Sequence, residues 1–326
     1  MTVTTRKKRG PGQYVGLVLR GMAMGASDIV PGVSGGTMAF ILGIYEELIQ
    51  SIRDVAQPGF VTAAITLKLR EALAILNWPF LLSVGTGILL SIFTLSQILE
   101  SLLEIQPVYL WSFFFGLVLS SIWVVSKRIK VWRLSYVAAL LLAAAAAYLL
   151  VGLVPAQTPD APWFLFLSGA LAICAMVLPG VSGAFILVLL GKYQYVLAAV
   201  NDLDLFALFF VAAGAGIGIV TFAQVLGWLF KRYHDATVAA LIGLMVGSLR
   251  KIWPWKLDVE WLRDADGAFA LDSAGERIVA LQRNLLPTLS DNGAAEIGTA
   301  LLLALFGFGL ILLLDRLALR MEGDAA

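Results

Sequence analysis

Cysteine and histidine each occur once in the 326 residues, as Cys174 and His234. A single cysteine excludes a disulfide within the chain and any cysteine-based zinc site. Cys174 lies in an apolar run and reads as a small buried apolar group. His234 stands beside Lys231 and Arg232 and reads as a polar flank residue at the end of a span. No metal and no cofactor is expected. Charge is also scarce. Only 14% of the residues are charged, where a soluble domain carries about 25%. Hydrophobic residues make up 60%, and several uncharged runs exceed the roughly 18 residues that indicate a membrane span. The expected fold class is therefore an all-α polytopic membrane protein. The net charge of +1 says little about partners, and no nucleic-acid partner is expected.

The chain does contain a duplicated motif. Pro31-Gly32-Val33-Ser34-Gly35 recurs as Pro179-Gly180-Val181-Ser182-Gly183, at an offset of 179 − 31 = 148. The same offset pairs Gly43 with Gly191 and Tyr45 with Tyr193. Each copy interrupts a long apolar segment. Proline ends a helix because it lacks the amide donor and clashes with the preceding turn. Polar backbone freed inside a membrane must face protein, water or a ligand. A second set of matches lies at offset 127: Thr94 and Gln97 with Thr221 and Gln224, and Gly116-Leu117 with Gly243-Leu244. The difference of 21 corresponds to an insertion after the first motif.

The pattern predicts a single membrane domain over 1–326, with repeats at 14–154 and 155–318. Each repeat starts with a re-entrant hairpin broken at the motif, with arms of about 15–20 residues, and continues with three spans. The spans are expected near 79–99, 107–126 and 134–154, then 205–230, 236–249 and 296–314. Residues 53–77 mix charge with leucine and isoleucine and read as an interfacial helix. Three spans per half is an odd number of crossings, so the halves are expected in inverted topology. That arrangement places 16 of the 23 Lys and Arg inside and 7 outside, as positive-inside charge requires. The basic start Arg6-Lys7-Lys8-Arg9 then marks a cytoplasmic N-terminus, with no cleaved signal expected. The 250–295 loop lies outside, and Asp272-Ser273 with Glu276, Ile278, Leu281 and Leu285 reads as a short surface helix.

At each break a helix restarts with unpaired amides and a partial positive charge, which favours an anion. Ser34, Gly35, Gly36 and Thr37 would supply donors in the first copy, and Ser182 and Gly183 in the second. The alternative is that these small residues only let helix tips pack closely. Two copies in opposed orientation suit a transport site at the midplane. Among the few nearby charges, Arg20 could meet an anion. Asp28, eight residues on, could carry a proton, bond loop amides or pair with Arg20. Glu46 is a further coupling candidate near the cytoplasmic mouth, and Lys192 a headgroup attractor at the outer one.

The run Ala26-Ser27-Asp28-Ile29-Val30-Pro31-Gly32-Val33-Ser34-Gly35-Gly36-Thr37, followed by Gly43-Ile44-Tyr45-Glu46, resembles the signature of the bacterial polyprenyl-phosphate transporters. Leu178-Pro179-Gly180-Val181-Ser182-Gly183-Ala184 is similar to its second copy. The resemblance implies an inner-membrane flippase, not an enzyme, that returns undecaprenyl phosphate toward the cytoplasmic leaflet. It carries over the paired motif as the headgroup site and leaves the oligomeric state open. Two other readings compete. Undecaprenyl-pyrophosphate phosphatases also use repeated Pro/Ser/Gly-rich hairpins, but their motif places a histidine near the serine, and neither break here has one. A transporter of a small soluble anion would need a closed polar path instead of a groove open to lipid.

Overall fold

The computed structural model describes residues 9–29, 34–156, 158–261, 263, 268, 269, 277, 279–288 and 293–323. Pro11–Ile29 forms α1, Gly35–Ile41 α2 and Tyr45–Val55 α3. Two short helices follow, α4 (Pro58–Ile65) and α5 (Leu69–Ile75). Then come α6 (Trp78–Ile105), α7 (Pro107–Ser126) and α8 (Leu134–Leu150). The order resumes with α9 (Pro162–Val177), α10 (Gly183–Leu189), α11 (Tyr193–Asn201) and α12 (Leu205–Ser248), and ends with α13 (Gly293–Gly323). Proline in the first turn of α4, α6, α7 and α9 costs no hydrogen bond there and presets the backbone. Asp204 caps α12, its carboxylate accepting from the amides of Phe206 and Ala207 at 3.1 Å.

Four helices among the described residues are long and apolar enough to cross a membrane: Trp78–Leu95 within α6, all of α7, α12, and Gly293–Arg316 within α13. The two spans expected at 205–230 and 236–249 are the two helical arms of α12, which non-helical backbone at Tyr233 (φ −138°, ψ 50°) divides. Its two arms have different partners. Gly214 and Gly218 abut the backbone of α9, and Gly243 and Gly247 that of α8.

Glycine-to-backbone contacts recur in matched pairs. Gly21 of α1 lies against the carbonyl of Val84 on α6, and Gly169 of α9 against that of Val211 on α12. In return Gly87 meets the carbonyl of Val18, and Gly214 that of Phe166. A Cβ at any of these glycines would collide with a carbonyl oxygen, so each permits close helix approach. The last helix of each half packs on the other half. Gly116 of α7 rests on Ala304 of α13, and Gly243 of α12 on Leu140 of α8.

Three expectations need correction. The returning arms α2 and α10 are only seven residues each. Gly43 (φ 72°) and Gly191 (φ 63°) stop them in left-handed backbone that glycine adopts without strain. The 53–77 stretch is not one helix, because Leu67 (φ 55°) breaks it between α4 and α5. Ile65, Leu67 and Leu69 are exposed there, 71–82% in each case, which suits an apolar surround. Finally, between α12 and α13 the expected outer loop is not helical where it is described. Lys256–Trp261 (β1) pairs antiparallel with Val279–Asn284 (β2), and Leu281 sits in that strand opposite Glu260. Alternation through Val279, Leu281 and Arg283 has the period of a strand, which the helical reading overlooked. The expected helix start at Asp272, Ser273 and Glu276 lies outside the described residues.

The ends of α7, about 30 Å apart for 20 residues, mark the two ends of the bundle. At the Lys127 end Arg128 covers the Phe40 ring, and Phe40, Tyr45 and Phe230 stack edge to face at 5.3 and 6.0 Å. At the other end Trp111 and Phe115 meet Lys256 and Trp253 below the β1–β2 hairpin.

Candidate functional site

The two breaks meet. Ser34 is the N-cap of α2, and its Oγ accepts from the Gly36 amide at 3.1 Å. The same hydroxyl donates toward the carbonyls of Met176 and Leu178, at 3.1 and 3.2 Å, at the end of α9. Thr37, one turn further on, returns the contact: its Oγ1 accepts from the Gly180 amide at 2.8 Å. Gly180 has φ 86°, which aims its amide across the junction. Gly36 is small because the Val177 carbonyl occupies the place of its Cβ. The residues named from the sequence thus come together around one joint, with Ser34, Gly35, Gly36 and Thr37 on one side and Pro179 and Gly180, both buried, on the other. Pro31 and Gly32 lie outside the described residues.

Asp28, at the end of α1, caps the same tip. Its carboxylate accepts from the Gly35 amide at 2.7 Å. Of the roles open to Asp28, this is the bond to a loop amide. The first turn of α2 thus carries an acceptor on its first two amides, and one of them is a carboxylate at the positive end of the helix. A carboxylate of the chain itself thus stands where the sequence places an anion. Arg20 lies half-buried on the same helix, eight residues earlier, or about 12 Å along the axis.

The second tip is built differently. Ser182 caps α10, but its Oγ accepts from Phe185 at only 3.5 Å, and no acid precedes it. Every residue of α2 is buried, whereas in α10 only Gly183 and Leu189 are. A Cβ on Gly183 would come within 2.6 Å of the Ala172 carbonyl, so this glycine holds α10 against α9. Gly180 rests against Leu244 and Ser248, in the last turns of α12.

Glu46 opens α3 at the Lys127 end, exposed, with its carboxylate 3.3 Å from His234 Nε2. With Ile49, Gln50, Gly227, Phe230 and Lys231 it lines an opening of about 200 Å³. Beside it Glu47 holds Arg9 through two bonds of 2.7 and 2.6 Å. Lys192 does not face an outer mouth. Its side chain is buried, and its Nζ donates to Asp160 and to the Thr158 carbonyl. Its charge is already paired, a partnership that sequence separation concealed. Among the described residues no cluster of three or more His, Cys, Asp or Glu comes together to hold a metal.

The sequence reading missed a set of cations at the Trp111 end. Lys256 Nζ lies 3.5 Å from the centre of the Trp111 ring and has no hydrogen-bond partner among the described residues. Burial pushes its ammonium down to about 6, with the charge of Lys251 acting in the same direction and Asp258 opposing. Lys251 is lowered too, again chiefly by burial. The only sequence signal was the bunching of Arg250, Lys251 and Lys256 among tryptophans, which reads equally as an interface belt.

Residues 24–270 match the family model described as VCA0040-like, undecaprenyl phosphate translocase-like. A polyprenyl-phosphate transporter of Vibrio cholerae serotype O1 is 41% identical over 309 residues, covering 94% of this chain and 97% of that protein. One from Staphylococcus aureus is 30% identical over 259 residues, covering 73% of this chain and 85% of that protein. No solved structure matches the chain significantly. The family model spans most of the sequence and includes both breaks, so the chain is a member of the undecaprenyl phosphate translocase-like family.

Proposed function

We propose that the chain carries a polyprenyl phosphate, undecaprenyl phosphate in particular, across the bacterial cytoplasmic membrane, returning the lipid carrier of envelope synthesis without chemical change to it. The observation that carries this reading is the joint itself. Two Gly/Ser tips meet in a buried contact where amides and hydroxyls converge. The printed names of the relatives supply the lipid. A phosphate monoester carries about 1.5–2 negative charges at neutral pH and cannot cross hydrocarbon bare. In this mechanism the headgroup displaces the Asp28 carboxylate from the Gly35 amide. Ser34, Gly36, Thr37, Gly180, Ser182 and Gly183 surround it, Pro31, Gly32 and Pro179 shape the two breaks, and Arg20 adds positive charge. Asp28 and Glu46 are the candidates for coupling.

The matched contacts at offsets 148 and 127 support an inverted duplication of a hairpin plus three spans. In this arrangement the N-terminus and the Lys127 end face the cytoplasm, and the β1–β2 hairpin faces out. The test is transfer of a fluorescent polyprenyl phosphate between leaflets of proteoliposomes. Transfer is expected to need the phosphate and both tips. Release of inorganic phosphate from undecaprenyl pyrophosphate would mean an enzyme instead. In cells, a cysteine at Ser273 of a Cys174-free variant should react with an impermeant thiol reagent, and one at Ser126 should not. The reverse result would overturn the topology.

A further inference from the structure

A small cleft of about 20 Å³ opens at the Trp111 end, lined by Phe185, Arg250, Lys251, Lys256, Gln282 and Asn284 among others. Among the described residues its lining has three cations and no acid. Asp258, the nearby carboxylate, accepts instead from the Gln282 amide at 2.9 Å. Arg250 donates to the Tyr148 carbonyl at 2.8 Å and covers that ring, and Lys251 lies 5.2 Å from the centre of Phe185. Lys256 has no hydrogen-bond partner among the described residues. A buried ammonium held only by an aromatic face leaves three donors unused, a costly arrangement unless a ligand completes it.

The cleft is continuous with the second break. Gly180 rests on Ser248, two and three residues before Arg250 and Lys251. Phe185, which lines the cleft, bonds Ser182 through its amide. An anion held by these cations is thus about one helical turn from the tip that carries no acid of its own. We propose that this cleft captures the phosphate monoester of the substrate at the face opposite the Lys127 end and hands it to the Pro179–Gly183 tip. The inference rests on the transport reading above and gives it a direction of loading. Lys251 and Lys256 donate to the phosphate oxygens, whose negative charge favours the protonated form of both ammonium groups.

The test uses the purified full chain with farnesyl phosphate, farnesol and inorganic phosphate as ligands, read by native mass spectrometry. A Lys251→Gln/Lys256→Gln variant should bind farnesyl phosphate at least about tenfold more weakly and leave farnesol binding unchanged. It should also melt at a higher temperature, because two poorly compensated charges are gone. The Lys251→Arg/Lys256→Arg variant should retain most of the affinity. Wild-type affinity in the glutamine variant overturns the capture site. If Gly36→Val still abolishes binding in that case, transport through the tips stands. Equal affinity of the wild type for farnesol and farnesyl phosphate overturns both readings. Inorganic phosphate that binds as tightly as farnesyl phosphate, with the same loss in the glutamine variant, assigns the cleft to free phosphate and overturns lipid capture.

Discussion

The two tips come from nearly the same five residues, yet only one is closed. In the first, α2 is buried along its length, capped by Asp28 and Ser34, and reaches across to the second through Ser34 and Thr37. The second has a weak serine cap and no acid, and it lies beside a cationic cleft. The shared motif explains how both helices stop and restart. The difference lies in what flanks the motif: Asp28 against Met176, and Thr37 against Phe185 at the same offset. Two tips of like sequence thus differ: one is filled by the protein's own groups, and the other is not.

The comparison is broken most severely at Gly36. Gly36→Val would drive a side chain into the Val177 carbonyl and separate the tips, so lipid transfer in proteoliposomes should fall below detection. Gly183→Val should also abolish transfer, but by displacing α10 from α9. A Ser34–Leu178 cysteine crosslink should still form in the Gly183 variant and fail in the Gly36 variant. Thr37→Val comes next. It leaves the buried Gly180 amide without its acceptor, a loss of about 1–3 kcal/mol that thermal unfolding would register. Phe185, the matching position, carries no such duty, so Phe185→Leu should change stability by less.

Asp28→Asn keeps an acceptor for the Gly35 amide but removes the charge that competes with a phosphate. Affinity for a polyprenyl phosphate should rise by up to about tenfold, within the roughly 0.3–2 kcal/mol of a charge at a helix N-terminus, while turnover falls. Unchanged affinity would mean that Asp28 only caps the helix. Smaller again is the contrast between the serines. Ser34→Ala should lower stability by about 1 kcal/mol and Ser182→Ala by less, since its bond is 3.5 Å long.

The subtlest comparison concerns pH on the open side. Lys256 is depressed from 10.5 to about 6 in the folded chain. An unfolded chain therefore binds the extra proton between those values, and stability rises with pH across that window. The stabilising effect of Lys256→Met should be greatest at and below about pH 6 and fade toward pH 10.5. A gain independent of pH would show that the ammonium is not buried.

Much of this was legible in residues. Pro-Gly pairs and apolar runs located the breaks and the spans, because helix termination and membrane partition are local properties. Gly43 and Gly191 were visible as a pair, and both prove to be left-handed stops. Properties set by distant partners were not legible. Lys192 read as a free cation until Asp160, 32 residues away, was found beside it. The Ser34–Leu178 contact spans 144 residues and has no signal in composition. The β1–β2 hairpin was taken for a helix because leucines at 281 and 285 satisfy a helical spacing as well as alternation does.

The exchange of last helices has a mechanical consequence. α8 belongs to the first half by sequence but seats its small residues on α12, and α13 of the second half seats on α7. The halves are clasped like two hands with interlaced fingers. Swinging one half against the other would unzip Gly116 from Ala304 and Gly243 from Leu140, contacts in which backbone meets backbone. The inexpensive motion is the smaller one. The short helix α2, held to the end of α9 and to Gly180 by a few hydrogen bonds and stopped at Gly43, can part from the second break while the clasp stays shut.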